Sequence, residues 1–108
     1  MTSLLNTDCR IKVSSVLNRE TALYGKQFLT DDSEETCWNS ESGSPQFIVM
    51  DFGRKVQVET IQLMFQGGFQ VPETQGMTTS RVKIIFESST DFFGRITIYK
   101  LDILGHDV

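Results

Sequence analysis

Two stretches of the chain alternate apolar and polar residues with a period of two. In TIQLMFQ (60–66), Ile61, Leu63 and Phe65 fall on one side and Gln62, Met64 and Gln66 on the other; in RVKIIFE (81–87), Val82, Ile84 and Phe86 share a side. Successive side chains of a strand point to opposite faces, so both stretches predict strands with one buried face. FIVMDF (47–52) is apolar almost throughout, the pattern of a strand in the core of packed sheets. RITIYKLDIL (95–104) begins in phase at Ile96 and Ile98 and loses it at Lys100, because Leu101 and Ile103 have the other parity. One extra residue there, a β-bulge, returns them to the core side. Upstream, CRIKVSSVL offers Ile11 and Val13 as a first strand.

Helical signal is confined to NRETALYGK (18–26), where Asn18 is placed to cap a helix of about two turns and Gly25 to stop it. The Gly/Ser/Pro loop at 42–45 and the Gly67-Gly68 pair punctuate the strands. The class predicted is all-β: an antiparallel domain of two packed sheets, spanning residues 1–108 as one unit. A chain of 108 residues buries about 60–70% of the surface its unfolded form exposes, enough for one modest core.

Charge narrows the partners. Ten Lys/Arg stand against fourteen Asp/Glu, a formal charge of −4, which is the wrong sign for neutralising phosphates along a duplex. Direct nucleic-acid binding is therefore not expected, and neither is a membrane span, since no apolar run reaches the needed length. The N-terminus lacks the basic and apolar regions of a secretory signal, so Cys9 and Cys37 are expected as free thiols in the nucleus or cytoplasm.

Several motifs suggest chemistry and fail on inspection. Asp51-Phe52-Gly53 spells the magnesium-holding triplet of protein kinases, but the Gly-rich loop, strand lysine and catalytic-loop residues that must surround it are missing. Asp51 and Gly53 instead predict a strand end closed by a glycine turn, and Phe92-Phe93 of DFFG (91–94) a buried corner. His106, the only histidine, stands near the C-terminus without the partners of a nucleophilic relay, and with Cys9 and Cys37 it shows no zinc spacing. No catalytic residue is assigned. Gly67 reads as a turn or bulge after a strand, not a phosphate cradle, for want of a following helix. LDILG stops one leucine short of the helical coregulator motif and lies in a strand. Within the acidic cluster DDSEE (31–35), Asp31 and Asp32, with Thr36 after them, are the one candidate calcium loop; the competing reading is a solvated loop, and no other cofactor is expected.

Taken in order, Ser14-Ser15, Asp31 or Asp32 with Thr36 and Trp38, Asp51-Phe52-Gly53 and Gln66-Gly67 resemble the discoidin, or coagulation-factor type C, family of the galactose-binding-like superfamily. The resemblance covers about residues 10–105 and implies a jelly-roll β-sandwich. Trp38 is then expected to pack at the sandwich edge, its indole N–H satisfied locally, with Asp51, Gly53 and Gly67 as structural positions. Extracellular members tie their termini with a disulfide, and the cysteine-free ending LDILGHDV fits an intracellular member. Between Phe69 and Arg81 the chain holds only QVPETQGMTTS, where the family inserts a longer segment, so the sandwich is expected to be short of strands.

A closer likeness to an intracellular single-domain member implies the role. That role is a non-enzymatic corepressor that binds an orphan nuclear receptor and reduces its engagement with DNA response elements. The alternative that the family implies is a module for carbohydrate or lipid headgroups, using loop tips at one end of the sandwich. Gln27, Phe28 and Phe69 are the candidate contact residues for either partner.

Overall fold

The computed structural model describes residues 2–5, 8–65, 68–71, 76–88 and 94–108. Among them, seven strands form a curled antiparallel sheet: β1 (Thr2–Ser3), β2 (Arg10–Val13), β3 (Trp38–Asn39), β4 (Gln46–Phe65), β5 (Gly68–Gln70), β6 (Met77–Phe86) and β7 (Thr97–Asp107). β4 is its spine. Residues 46–51 pair with β2 on one side and with the C-terminal half of β6 on the other. Residues 56–65 pair with β7, and on their other edge with the start of β6 and with β5. β1 and β3 pair with β7. The sheet folds over itself into a jelly-roll sandwich, so that Phe65 of one layer meets Phe86 of the other edge-on at 6.3 Å between ring centres.

The expected glycine-closed strand end at Asp51-Phe52-Gly53 is corrected here: the chain bends and the strand runs on. Opposite β6 the register jumps between Asp51 and Val56. Asp51 Oδ1 accepts the Gly53 N–H at 3.0 Å, and Gly53 sits at φ +71°, a conformation that side chains disfavour. A β-carbon at Gly53 would meet only the Asp8 carbonyl oxygen, at 3.6 Å, so the requirement is conformational and not one of space. Phe52 fills the inside of the bend and is fully buried.

The alternating stretches behave as their periods predict. Ile61, Leu63 and Val82 are buried, and Phe65, Ile84 and Phe86 pack against the same core. Ile11 and Val13 join it from β2. The bulge expected near Lys100 is present: Met64 pairs with Lys100 and Phe65 with Ile98, leaving Tyr99 as the extra residue, and Ile98, Leu101 and Ile103 all reach the core. The helix is shorter than expected. One α-turn, α1 (Thr21–Tyr24), lies between 3-10 turns at Leu17–Arg19 and Lys26–Leu29. Asn18 does not cap it; Asn18 adopts φ +52° inside the first 3-10 turn, and Glu20 holds the cap position without a side-chain bond. Gly25 does end the turn. Phe92, Phe93, Gln66 and Gly67 lie outside the described residues.

Candidate functional site

The loop that leads from the 3-10 turn at Lys26–Leu29 into β3 carries the acidic cluster, and Trp38 fixes its far end. Trp38 is fully buried on β3, which among the described residues pairs only with β7, and its Nε1 donates to the Ser15 carbonyl at 2.9 Å, across 23 residues of chain rather than locally. The partner is distant because Ser14 and Ser15 belong to a polar clasp. Both hydroxyls donate to Gln46 Oε1, at 2.5 and 2.8 Å, while Gln46 Nε2 donates to the carbonyls of Gly43 and Glu41. Ser14 Oγ also accepts the Phe47 N–H, and Ser15 Oγ the Glu41 N–H. Buried polar groups must be partnered, and here Gln46 and Ser40, the buried polar residues of the core, are. The Ser-Ser pair was legible as a motif; its acceptor, Gln46, was not.

The acidic side chains stand at the surface. Asp31 accepts the Ser33 N–H at 3.2 Å and the Thr36 hydroxyl, so it closes its own loop. Asp32, at φ +60°, instead accepts from Lys100 Nζ at 2.7 Å. That hydrogen bond, reinforced by the ammonium charge, lowers the Asp32 pKa, and the same bond raises that of Lys100. Lys100 reaches the loop because the Tyr99 bulge turns it out of the core phase. The ion pair separates two clefts. One, of about 290 Å³, includes Ser3, Thr30 and Asp102 in its wall; the other, of about 110 Å³, lies between Ser33, Glu34, Met64 and Phe69.

The proposed calcium donors thus face different partners, Asp31 inward to Ser33 and Thr36 and Asp32 outward to Lys100. Among the described residues no three His, Cys, Asp or Glu side chains converge on one point. Phe69 is 57% exposed on β5 beside the smaller cleft. Gln27 and Phe28 lie on the 3-10 turn, where Gln27 Nε2 donates to the Thr21 carbonyl and Phe28 is half-buried; neither lines that cleft. Both cysteines are free, and burial raises each thiol pKa, outweighing Arg54 beside Cys9. Lys100 is the site residue that sequence reasoning missed. The lost phase at Lys100 was its signal: the extra residue of a bulge, here Tyr99, shifts its neighbour off the core face.

The profile of the family "Anaphase-promoting complex, subunit 10 (APC10)" matches residues 5–92. A Xenopus laevis protein named nuclear receptor 2C2-associated protein is 42% identical over 97% of this chain and 99% of its own. The Homo sapiens protein of that name is 36% identical over 98% of each. The Xenopus laevis alignment runs over 135 positions against a chain of 108 residues, so that relative carries a stretch with no counterpart here. In solved structures the fold is shared with the C-terminal domain of a Bacteroides fragilis chitobiase (TM-score 0.73, 18% identity, 99% of both chains). It is shared too with a Clostridium perfringens CBM32 module solved with GalNAc-β-1,3-galactose (TM-score 0.76, 12% identity, 96% of this chain and 100% of that one). The chain belongs to the APC10 family, on a discoidin-like, galactose-binding-like sandwich, and within it to the group of proteins named nuclear receptor 2C2-associated protein.

Proposed function

We propose that the chain is a non-enzymatic interaction module of transcription regulation, a repressor that binds an orphan nuclear receptor and lowers its occupancy of DNA response elements. The observation that carries this reading is whole-chain identity of 36–42% to relatives named for association with nuclear receptor 2C2. The acidic loop supplies a mechanism. Asp31, Asp32, Glu34 and Glu35 are exposed on one short segment. A receptor module that attracts DNA phosphates also attracts clustered carboxylates, so the two compete for one basic face. Gln27, Phe28 and Phe69 are the proposed apolar and polar contacts near that loop, and the nucleus, with the cytoplasm, is the proposed location.

The test is a gel shift of a nuclear receptor 2C2 DNA-binding domain on its response element, titrated with this chain. The complex is expected to fade as the chain is added, less so at high salt, and less so with the Asp31→Asn, Glu34→Gln, Glu35→Gln triple variant. A shift that persists at saturating chain, or a loss indifferent to salt, overturns the mechanism. Phe69, exposed beside a cleft that Asp32, Ser33 and Glu34 also line, supports a second reading as a sugar-contacting residue. Galactose binding that Phe69→Ala abolishes would favour that reading over the receptor.

A further inference from the structure

β6 is the one long strand whose outer edge no described residue covers, and its outward groups can be identified from the ladder. Phe47 donates its N–H to Ser14 Oγ and gives its carbonyl to the Ser14 N–H, so the backbone of Phe47, and with it Val49 and Asp51, faces β2. Hydrogen-bonding direction alternates along an antiparallel strand, so Gln46, Ile48 and Met50 face β6, and their partners there are Phe86, Ile84 and Val82. Arg81, Lys83 and Ile85 therefore turn their N–H and C=O groups away from β4. The Thr79 hydroxyl confirms the direction at Arg81, where it receives the N–H and donates to the C=O. Lys83 and Ile85 are left as the open edge. Among the described residues β6 pairs with β4 and with nothing else.

The side chains beside this edge have a definite character. In register across β2, β4 and β6 lie Arg10, Asp51 and Arg81, then Lys12, Val49 and Lys83, then Phe47 and Ile85. Residues in register share a face, opposite to the core residues Ile48, Met50 and Val82. That outer face carries four exposed cations, Arg10, Lys12, Arg81 and Lys83, of which Asp51 offsets one. On a chain of net charge −4 this is a local reversal of sign. Lys83 Nζ lies 4.5 Å above the Phe47 ring, and Ile85 beside it is 53% exposed.

We propose that the free edge of β6 receives an extended acidic peptide segment of a partner protein, which adds to the sheet as an antiparallel strand. Main-chain bonds to Lys83 and Ile85 supply the affinity, and alternate side chains supply the selection. On the outer face the incoming strand sets an apolar residue against Ile85 and acidic residues against Lys83 and Arg81, in that order along its length. A second copy of the chain is disfavoured as the occupant. Edge-to-edge pairing merges two outer faces into one and doubles its cations, the device by which natural edges resist self-association. The same cations that repel a second copy select an acidic strand. The edge lies on a different strand from the acidic loop, and its occupancy does not require a nuclear receptor.

Hydrogen exchange with model peptides tests this. The probes are a capped Val-Thr-Glu-Thr-Glu peptide and its counterpart with lysine in place of glutamate. The glutamate peptide is expected to slow exchange at the Lys83 and Ile85 amides by about tenfold or more, with the lysine peptide without effect. Lys83→Glu, which keeps the backbone, and Ile85→Pro, which removes one outward N–H and no ladder bond to β4, should each weaken the glutamate peptide about tenfold. Equal protection by both peptides, or none by either, overturns the proposal. So does protection in the free chain, which would show the edge already covered. Protection that grows with chain concentration, together with a sedimenting dimer, assigns the edge to a second copy and also overturns it. The gel shift with receptor can succeed or fail independently of each of these results.

Discussion

The two halves of β4 have similar sequences in their apolar content and opposite situations in the fold. Residues 56–65 are enclosed along one side by β7, and side chains alternate between core and surface with one bulge at Glu59. Residues 46–51 lie between β2 and β6, whose outer edges end the sheet among the described residues. There Ile48, Val49 and Met50 are all buried, though consecutive residues point to opposite faces. Ile48 and Met50 face the core. Val49 lies between Lys12 and Lys83 in register, and the aliphatic stems of long cationic side chains can cover apolar surface while their heads stay in water. A strand can therefore be apolar throughout either by lying between two sheets or by lying under lysines, and only the second leaves a surface that a partner can read.

The bend between the halves is the most direct place to break this arrangement. Phe52 is fully buried where β4 passes from one layer to the other. Phe52→Ala is expected to cost about 4 kcal/mol, as large-to-small changes in well-packed cores do. Urea unfolding followed by Trp38 fluorescence measures it. A loss below about 1 kcal/mol would mean that the bend is held by its backbone alone, by Gly53 and the Asp51 turn.

Within the enclosed half β4 leaves no room for a side chain at Gly105 of β7, paired with both Val58 and Thr2. A β-carbon there would lie 1.9 Å from the Gln57 carbonyl oxygen and 3.0 Å from Leu4 Cδ1. The obstructing atom is backbone, so Gly105→Ala must separate β4 from β7, with an expected loss of about 3 kcal/mol in the same assay. Wild-type stability in this variant would show that β7 is free to shift at this point. The open half depends instead on its polar start. Gln46→Ala removes the acceptor of two serine hydroxyls and the donor to two carbonyls, and about 2 kcal/mol is expected. The exchange of the Phe47 amide, held by Ser14, should rise with it.

Much of the fold was legible because burial imposes a period. TIQLMFQ and RVKIIFE could be placed on strands, and the slip at Lys100 even located a bulge, since a one-residue change of phase has few other causes. The bend at Asp51-Phe52-Gly53 was misread as a strand end because a positive-φ glycine serves both, and only pairing partners distinguish them. Asn18 was misread as a cap because Asn favours caps and left-handed turns alike, and the chain took the second. The candidate sites were less legible still. Arg10 and Lys12 are some seventy residues from Arg81 and Lys83 in the chain and form one basic face only through their shared neighbour β4. The acidic cluster, being contiguous, could be seen at once. Net charge concealed the contrast between the two.

The smallest expected effect lies at the far end of the enclosed half, where Lys100 and Asp32 join β7 to the acidic loop. The hydrogen bond to Lys100 holds the Asp32 pKa below its ordinary value of 3.8. A depressed carboxyl contributes stability that is present above the unfolded pKa and lost as pH falls through the folded one. The Lys100 pKa is raised, chiefly by the same bond, so the partner's share is complete below the ordinary lysine value and is lost as pH rises through the raised one. The pair thus acts across the neutral range and fades at both ends, and being exposed it is weak and screened by salt. Asp32→Asn should therefore leave the neutral urea midpoint almost unchanged while flattening the acid limb of the stability profile. Carbon-detected titration of the Asp32 carboxyl gives the direct reading. A midpoint at or above 3.8 would remove this tie and leave the loop held to β7 through the pairing of Trp38 and Asn39 with Ile98 and Thr97.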